Sequence, residues 1–345
     1  FCSIITWSLG NESSFGENFI ATYDYLKNKD NTRPVQYEAA QSTPYTDIIA
    51  PMYKSLNIMM EYVKDWRKKP FIQCEYAHMM GNSGGNLKDY WDLFYKYDQL
   101  QGGFIWDFSD QTFKLKDKQG RDIWAYGRDM GNVGATSDTS FCADGLFAAD
   151  RTPHPQAFEL KKVYQYIYFE PVSFSANAVK ITNRYDFTNL NQFNFKWTIT
   201  ANGQSVAQGI IPQINLRPGE SSVTRLNFPQ IDVQPGTEYF LNIEALTRTG
   251  DKSLPVSFCV ANEQFKLPWN KPATAVSLNN YQPLKQSQAG NEVIIEGEDF
   301  SVSFNSQAGW LDSYQLLGKS LVQQPLEPHF WRAATDNDIG NSQQI

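Results

Sequence analysis

Through about residue 165, short apolar runs alternate with amphipathic stretches, and this alternation constrains the fold more than any other feature of the chain. The runs are Ser3–Leu9, Pro34–Tyr37, Asp47–Met52, Phe71–Glu75 and Gly103–Phe108, rich in β-branched and aromatic residues. Several end in Gly, Asn, Ser or Pro, as buried parallel strands do. Between them Phe15–Leu26 places Phe15, Phe19, Ile20, Tyr23 and Leu26 at a 3.6-residue rhythm, and Leu56–Trp66 and Leu87–Tyr97 repeat it. Strand-to-strand steps of this size are those of βα units. No Gly-rich phosphate loop follows the first run, so a dinucleotide fold loses ground to a (β/α) barrel. An eight-stranded barrel takes about 250 residues. Only five strands are visible here, and the chain opens without Met inside an apolar run. The expectation is the second half of a barrel, in a fragment of a longer polypeptide.

Beyond residue 165 the rhythm changes to period 2. Val179–Asn183, Phe193–Thr200, Ser222–Asn227, Tyr239–Thr247 and Pro255–Ala261 read as strands, separated by turns such as Asn202-Gly203 and Pro235-Gly236. Short strands at this spacing predict an immunoglobulin-like sandwich over residues 166–266. Leu267–Pro272 reads as a linker, and Glu292–Phe304 with Trp310–Val322 as the opening of a further β-sandwich domain that residues 267–345 do not complete. The predicted class is therefore multidomain, α/β plus all-β, with the barrel half occupying residues 1–165.

Composition narrows the function. The chain has 30 basic and 37 acidic side chains, a net charge of -7, and no dense Lys/Arg block. That balance argues against nucleic acid or an anionic membrane as the main partner. Cys2, Cys74, Cys142 and Cys259 lie far apart and form no CxxC, against a zinc site or a disulfide scaffold.

Catalytic side chains of a barrel lie at the carboxyl ends of its strands. The first run ends in Asn11-Glu12 and the fourth in Glu75. Two carboxylates facing one barrel mouth are what acid/base plus nucleophilic attack on a glycosidic bond requires. Tyr53 follows the third run, where its phenol could hydrogen-bond a carboxylate or simply reach water. His78, among only three histidines in the chain, stands three residues after Glu75. It fits a sugar-hydroxyl contact or a structural role. Trp106 could lay its flat face on a pyranose ring or pack in the core. Asp107 and Asp110 read as loop caps.

WSLGNES, PMY, CEYAHMMGNS, QGGFIWDFSDQ, FCADGL and DRTPHPQAFELK, in this order, resemble the large multidomain bacterial β-galactosidases of glycoside hydrolase family 2, and RAATDNDIG near the end resembles them again. The segment EYAHMMGNS favours this branch over the related β-glucuronidases and β-mannosidases. The resemblance implies two β domains, the barrel, an immunoglobulin-like domain and a large β-sandwich, of which this chain would hold the later parts. It implies hydrolysis of terminal β-galactosides such as lactose, with retention, Glu12 as acid/base and Glu75 as nucleophile. It makes Asn11, Tyr53, His78, Trp106 and Asp144 substrate-binding residues. It makes Glu12 a magnesium ligand whose companions lie upstream, and Phe141 (through its carbonyl) and Asp144 a site for Na+ or K+. Well-known members carry Asn at the position of Asp144, so the Asp here adds a negative charge at that site. Gly340 would belong to a mobile loop near the site. A homo-oligomer and the bacterial cytoplasm, ahead of the periplasm, are the expected setting, and the 345-residue chain alone is expected to be inactive. Outside this branch the alternatives are a β-glucuronidase, a β-mannosidase or a non-catalytic carbohydrate-binding protein.

Overall fold

The computed structural model describes residues 2–65, 69–131, 134, 141–173, 177–273, 275–335 and 337–338. Its first part is an arc of parallel strands. β1 (Trp7–Ser8) pairs with β2 (Val35–Gln36). Gln36 then bridges to Ile48, Ile49 to Phe71 and Met52 to Glu75. β3 (Phe71–Tyr76) pairs with β4 (Leu100–Ile105), and Ser109 bridges in parallel to Phe147. Each strand lies beside its sequence neighbour. A doubly wound sheet would reverse its order at a switch point, whereas an unreversed series is the arc of a barrel.

The amphipathic stretches form α1 (Glu17–Lys29), α2 (Leu56–Tyr62) and α3 (Leu87–Lys96). Trp66, the expected end of the second, lies outside the described residues. The Ser55 hydroxyl caps α2 by accepting from the Ile58 N–H. In α1, Glu17 opens the helix and Lys27 and Lys29 close it, matching the helix dipole. Asp47 ties that helix to β2: it accepts from Tyr23 Oη at 2.8 Å, Lys27 Nζ at 2.9 Å and the Val35 N–H at 2.7 Å. Met59, Phe71, Tyr76, Leu87, Phe94 and Leu100 form the core beneath. The hairpin β5 (Phe113–Lys116) and β6 (Asp122–Ala125) and the helix α4 (Pro155–Val163) follow.

The second part is a sandwich of two antiparallel sheets. One holds β10 (Gln204–Ile211), β9 (Phe193–Ala201), β12 (Tyr239–Thr247) and β13 (Cys259–Lys266) in that order. The other holds β11 (Ser221–Arg225), β8 (Ala178–Asn183) and β7 (Ile167–Ser173). Alternation puts Phe193, Phe195, Trp197 and Ile199 of β9 and Tyr239, Leu241, Ile243 and Ala245 of β12 into one shared core. Gly209 allows the Trp197 indole to lie against the β10 backbone, since a Cβ there would come within 2.6 Å of the ring. The stretch read as a linker starts inside this core, with Leu267 buried and Trp269 packed on Phe228 and Tyr239.

The third part is a meander of β14 (Lys285–Ala289), β15 (Glu292–Glu296), β16 (Phe300–Asn305), β17 (Trp310–Leu316) and β18 (Lys319–Ser320). Among the described residues of these strands only Ser303 is buried. The architecture is thus part of a barrel followed by β-sandwich structure. The four cysteines are free, and no helix of the described residues is long and apolar enough to cross a membrane.

Candidate active site

The strand ends of the arc share a backbone signature. Glu12, Tyr53 and Ala77, none of them glycine, have φ of 45°, 51° and 49°. A side chain in this left-handed region costs on the order of 1 kcal/mol or more and persists where its surroundings enforce it, often at functional sites. Each follows a different strand; two of them are candidate site residues themselves, and Ala77 stands two residues after Glu75.

Tyr53 is fixed to Glu75 twice. Its N–H donates to the Glu75 carbonyl at 2.9 Å, and its phenol donates to Glu75 Oε2 at 2.8 Å. The residue as a whole is 45% exposed, but its hydroxyl lies among carboxylates. Local desolvation first, then the hydrogen bond to Glu75, then the charges of Glu75, Glu12 and Asp144 push the phenol well above its usual range. One hydroxyl thus senses three of the acids expected from the sequence, and it stays protonated as a donor.

His78 lies beside this pair, its ring centre 6.1 Å from that of Tyr53 and 5.0 Å from that of Phe141. The Met80 N–H points at its Nδ1, which assigns the ring proton to Nε2. Nε2 is buried without a hydrogen-bond partner, 3.9 Å from Asp144 Oδ2, and Asp144 Oδ1 is likewise buried and unpartnered among the described residues. An unused donor and an unused acceptor therefore stand side by side. Asp144 itself is 7% exposed. Burial raises its pKa, His78 opposes that, Asp107 and Asp110 add to it, and a hydrogen bond from the Trp106 side chain lowers it. Asn11 is exposed, and its carbonyl accepts from Ser13 Oγ at 2.8 Å. Gly340 lies outside the described residues; Asn337 Nδ2, three positions earlier in the chain, donates to Ser83 Oγ in the loop after β3 at 2.8 Å.

Several residues in this region carry no catalytic or binding role in the sequence reading. Asp110 is no local cap: its Oδ1 accepts from the Gly145 N–H at 2.8 Å. His154 Nδ1 meets the Gly145 carbonyl at 2.8 Å while its Nε2 stands 3.6 Å from Asp110 Oδ2. Gly145 must be glycine, because a Cβ would come within 2.1 Å of the Asp110 nitrogen. Together these three hold the Asp144 segment against β4's exit. Tyr37 and Glu38, just past β2, bind the loop that carries Glu12. Applied to the second strand, the same strand-end rule points to both. A cavity of about 750 Å³ lies next to the carboxylates rather than over them, lined by Glu38, Met52, Lys54, Ile58, Tyr62 and Phe71.

The chain matches three family models in succession. That of the glycosyl hydrolases family 2 TIM barrel domain covers residues 1–169, β-galactosidase domain 4 covers 179–268, and the β-galactosidase small chain covers 296–345. Proteins named β-galactosidase from Priestia megaterium, Leuconostoc mesenteroides and Vibrio cholerae are 37%, 36% and 36% identical over 98%, 99% and 99% of this chain. The matches cover 33%, 34% and 34% of those proteins, so the chain spans about a third of the length of these curated relatives. A β-glycosidase structure from Bacteroides vulgatus matches with a TM-score of 0.36 and 14% identity, covering 94% of this chain and 47% of that one. With a parallel arc and matched models along most of its length, the chain belongs to glycoside hydrolase family 2.

Proposed function

We propose that these strand ends supply the nucleophile and the acid/base of a retaining β-galactosidase. The observation that carries the reading is the Tyr53–Glu75 hydrogen bond under the charge of Glu12. Tyr53 occupies Oε2 of Glu75 and leaves Oε1 free to attack the anomeric carbon. Glu12 gives its proton to the leaving oxygen, and a galactosyl ester forms on Glu75. Glu12 then takes a proton from water, which attacks the ester and releases galactose with its β configuration retained. A carboxyl separation of about 5–5.5 Å is what this double displacement needs. His78 Nε2–H and Asp144 Oδ1 offer a donor and an acceptor to a sugar hydroxyl, Trp106 a face for the ring, and Asn11 a contact to the 2-hydroxyl.

The relatives' names favour a galactoside over a glucuronide or mannoside. The two sheets at residues 166–266 we read as an immunoglobulin-like domain. Among the described residues no group of three His, Cys, Asp or Glu side chains could hold a metal. Glu12 would be one magnesium ligand, with its companions outside this chain, and no step here depends on that ion. The unpartnered Asp144 Oδ1 does fit Na+ or K+, with the Phe141 carbonyl as a second ligand; such an ion would supply positive charge beside a sugar hydroxyl.

Glu75→Gln in the full-length protein tests the reading. Substrate binding should survive while the burst of aglycone disappears and kcat falls roughly 10⁴-fold or more. An unchanged burst would remove Glu75 from the nucleophile's role.

A further inference from the structure

The turn that presents Glu12 is held in large part by residues outside it. Gly10, Glu12 and Ser14 have φ of 140°, 45° and 59° within five residues. Backbone of this kind exposes N–H and C=O groups that no helix or ladder satisfies, and it stays in place only if neighbours fix it. Two consecutive residues do so. β2 lies beside β1, with the Leu9 N–H donating to the Gln36 carbonyl at 3.1 Å, so the next residues, Tyr37 and Glu38, run alongside the Glu12 turn. Tyr37 is fully buried and stacks on Phe19 of α1 at 4.2 Å. Its hydroxyl accepts from the Ser13 N–H at 3.1 Å and donates to the Ser14 carbonyl at 2.7 Å. Glu38 Oε1 accepts from the N–H of Glu12 itself at 2.9 Å.

Glu38 has an unusual environment for a carboxylate. Its Oε2 is buried and has no hydrogen-bond partner, and no cation pairs with it among the described residues. A carboxylate oxygen removed from water without a donor is destabilising. The side chain's single hydrogen bond among the described residues is the one to the residue that protonates the leaving group. A carboxylate kept merely for stability would be expected to find a second donor.

We propose that Glu38 is the positioning residue of the acid/base step. It fixes the left-handed backbone of Glu12 and thereby the point from which the Glu12 carboxyl reaches the glycosidic oxygen. Glu38 acts through Glu12 and touches no reacting atom. The inference rests on Glu12 being the acid/base.

The test uses Glu38→Ala, Glu38→Asp and Glu38→Gln in the full-length protein, with two galactosides of different leaving group. A dinitrophenol leaves with little need of a proton, whereas an alkyl alcohol needs the acid. Since kcat/KM reports the glycosylation step, loss of acid positioning should appear only with the alkyl aglycone. For Glu38→Ala and Glu38→Asp, kcat/KM should fall about tenfold or more on the alkyl galactoside and stay within about threefold on the dinitrophenyl one. Glu38→Gln, which keeps an oxygen to accept the Glu12 N–H, should stay near the parent on both. If Glu38→Ala fails to fold, the Asp variant decides. Equal losses on the two substrates, or no loss on either, would overturn the proposal. Glu12→Gln as a reference separates the two failures. If it too shows no dependence on leaving group, the assignment of Glu12 is at fault; if it does and the Glu38 variants do not, the positioning role is.

Discussion

The sandwich and the barrel arc differ most in where they carry strain. Among the described residues of the sandwich the non-glycine residues at positive φ are Asn177, Asn202 and Ser257, all in turns between strands. Its one buried, unpartnered side-chain oxygen among the described residues is Thr182 Oγ1. In the arc Glu12, Tyr53 and Ala77 carry positive φ at three strand exits, and Glu38, His78 and Asp144 hold buried polar atoms without partners around the same spot. The sandwich buries a single continuous apolar cluster from both sheets, while the arc's cluster lies low among β3, β4, α2 and α3. One region is built for cohesion. The other holds strained backbone and unsatisfied polar groups at its strand exits, a pattern common at functional sites.

That contrast predicts a division of labour among substitutions. Trp197→Ala removes the indole from between Phe228 and the β10 backbone at Gly209. It should cost about 3–5 kcal/mol of sandwich stability, read from urea unfolding, and leave kcat/KM for a galactoside nearly unchanged. A large kinetic loss at unchanged stability would erase the distinction between the regions. A smaller effect sharpens it from the arc's side. Burial works against ionisation of Asp47, but the Val35 N–H, Lys27 and Tyr23 outweigh it and hold its pKa below the ordinary value. A carboxylate lowered in the fold stabilises above its unfolded pKa of about 3.9 and loses that contribution as pH falls through the folded value. Asp47→Asn should therefore lower stability by about 1 kcal/mol at pH 7, with the gap to the parent closing below pH ~4. A gap that persists into acid would place the contribution in shape rather than charge.

The sequence was most legible where one face of an element is buried. The expected Leu87–Tyr97 helix is α3 within a residue, and Phe193–Thr200 and Tyr239–Thr247 match β9 and β12, because alternate side chains there enter one core. Elements without that pattern escaped. Pro171 interrupts β7, Gly209 and the exposed Val206 and Ile210 obscure β10, the β5–β6 hairpin has little buried surface, and α4 buries none of its side chains. Two expected strands moved. Pro255–Ala261 became Cys259–Lys266 because Asp251 draws the Ser253 and Leu254 N–H groups into a turn that runs on to Ser257. Gly103–Phe108 became Leu100–Ile105 because β4 begins where Phe71 finds Leu100. At the site, residue type and strand-end position pointed to Glu12, Tyr53, Glu75 and His78. Glu38 stands at a strand end that the same rule would have flagged, but its contact 26 residues back, like those of Asp110 and His154 over 35 and 9 residues, goes to a backbone group that no local pattern reports.

The account turns on the identity of the nucleophile, and covalent trapping tests it most directly. The full-length protein incubated with an activated 2-deoxy-2-fluoro-galactoside, then digested and read by mass spectrometry, should carry the sugar on Glu75 and lose activity in step with labelling. A label on any other side chain, or undiminished turnover with none, would contradict it.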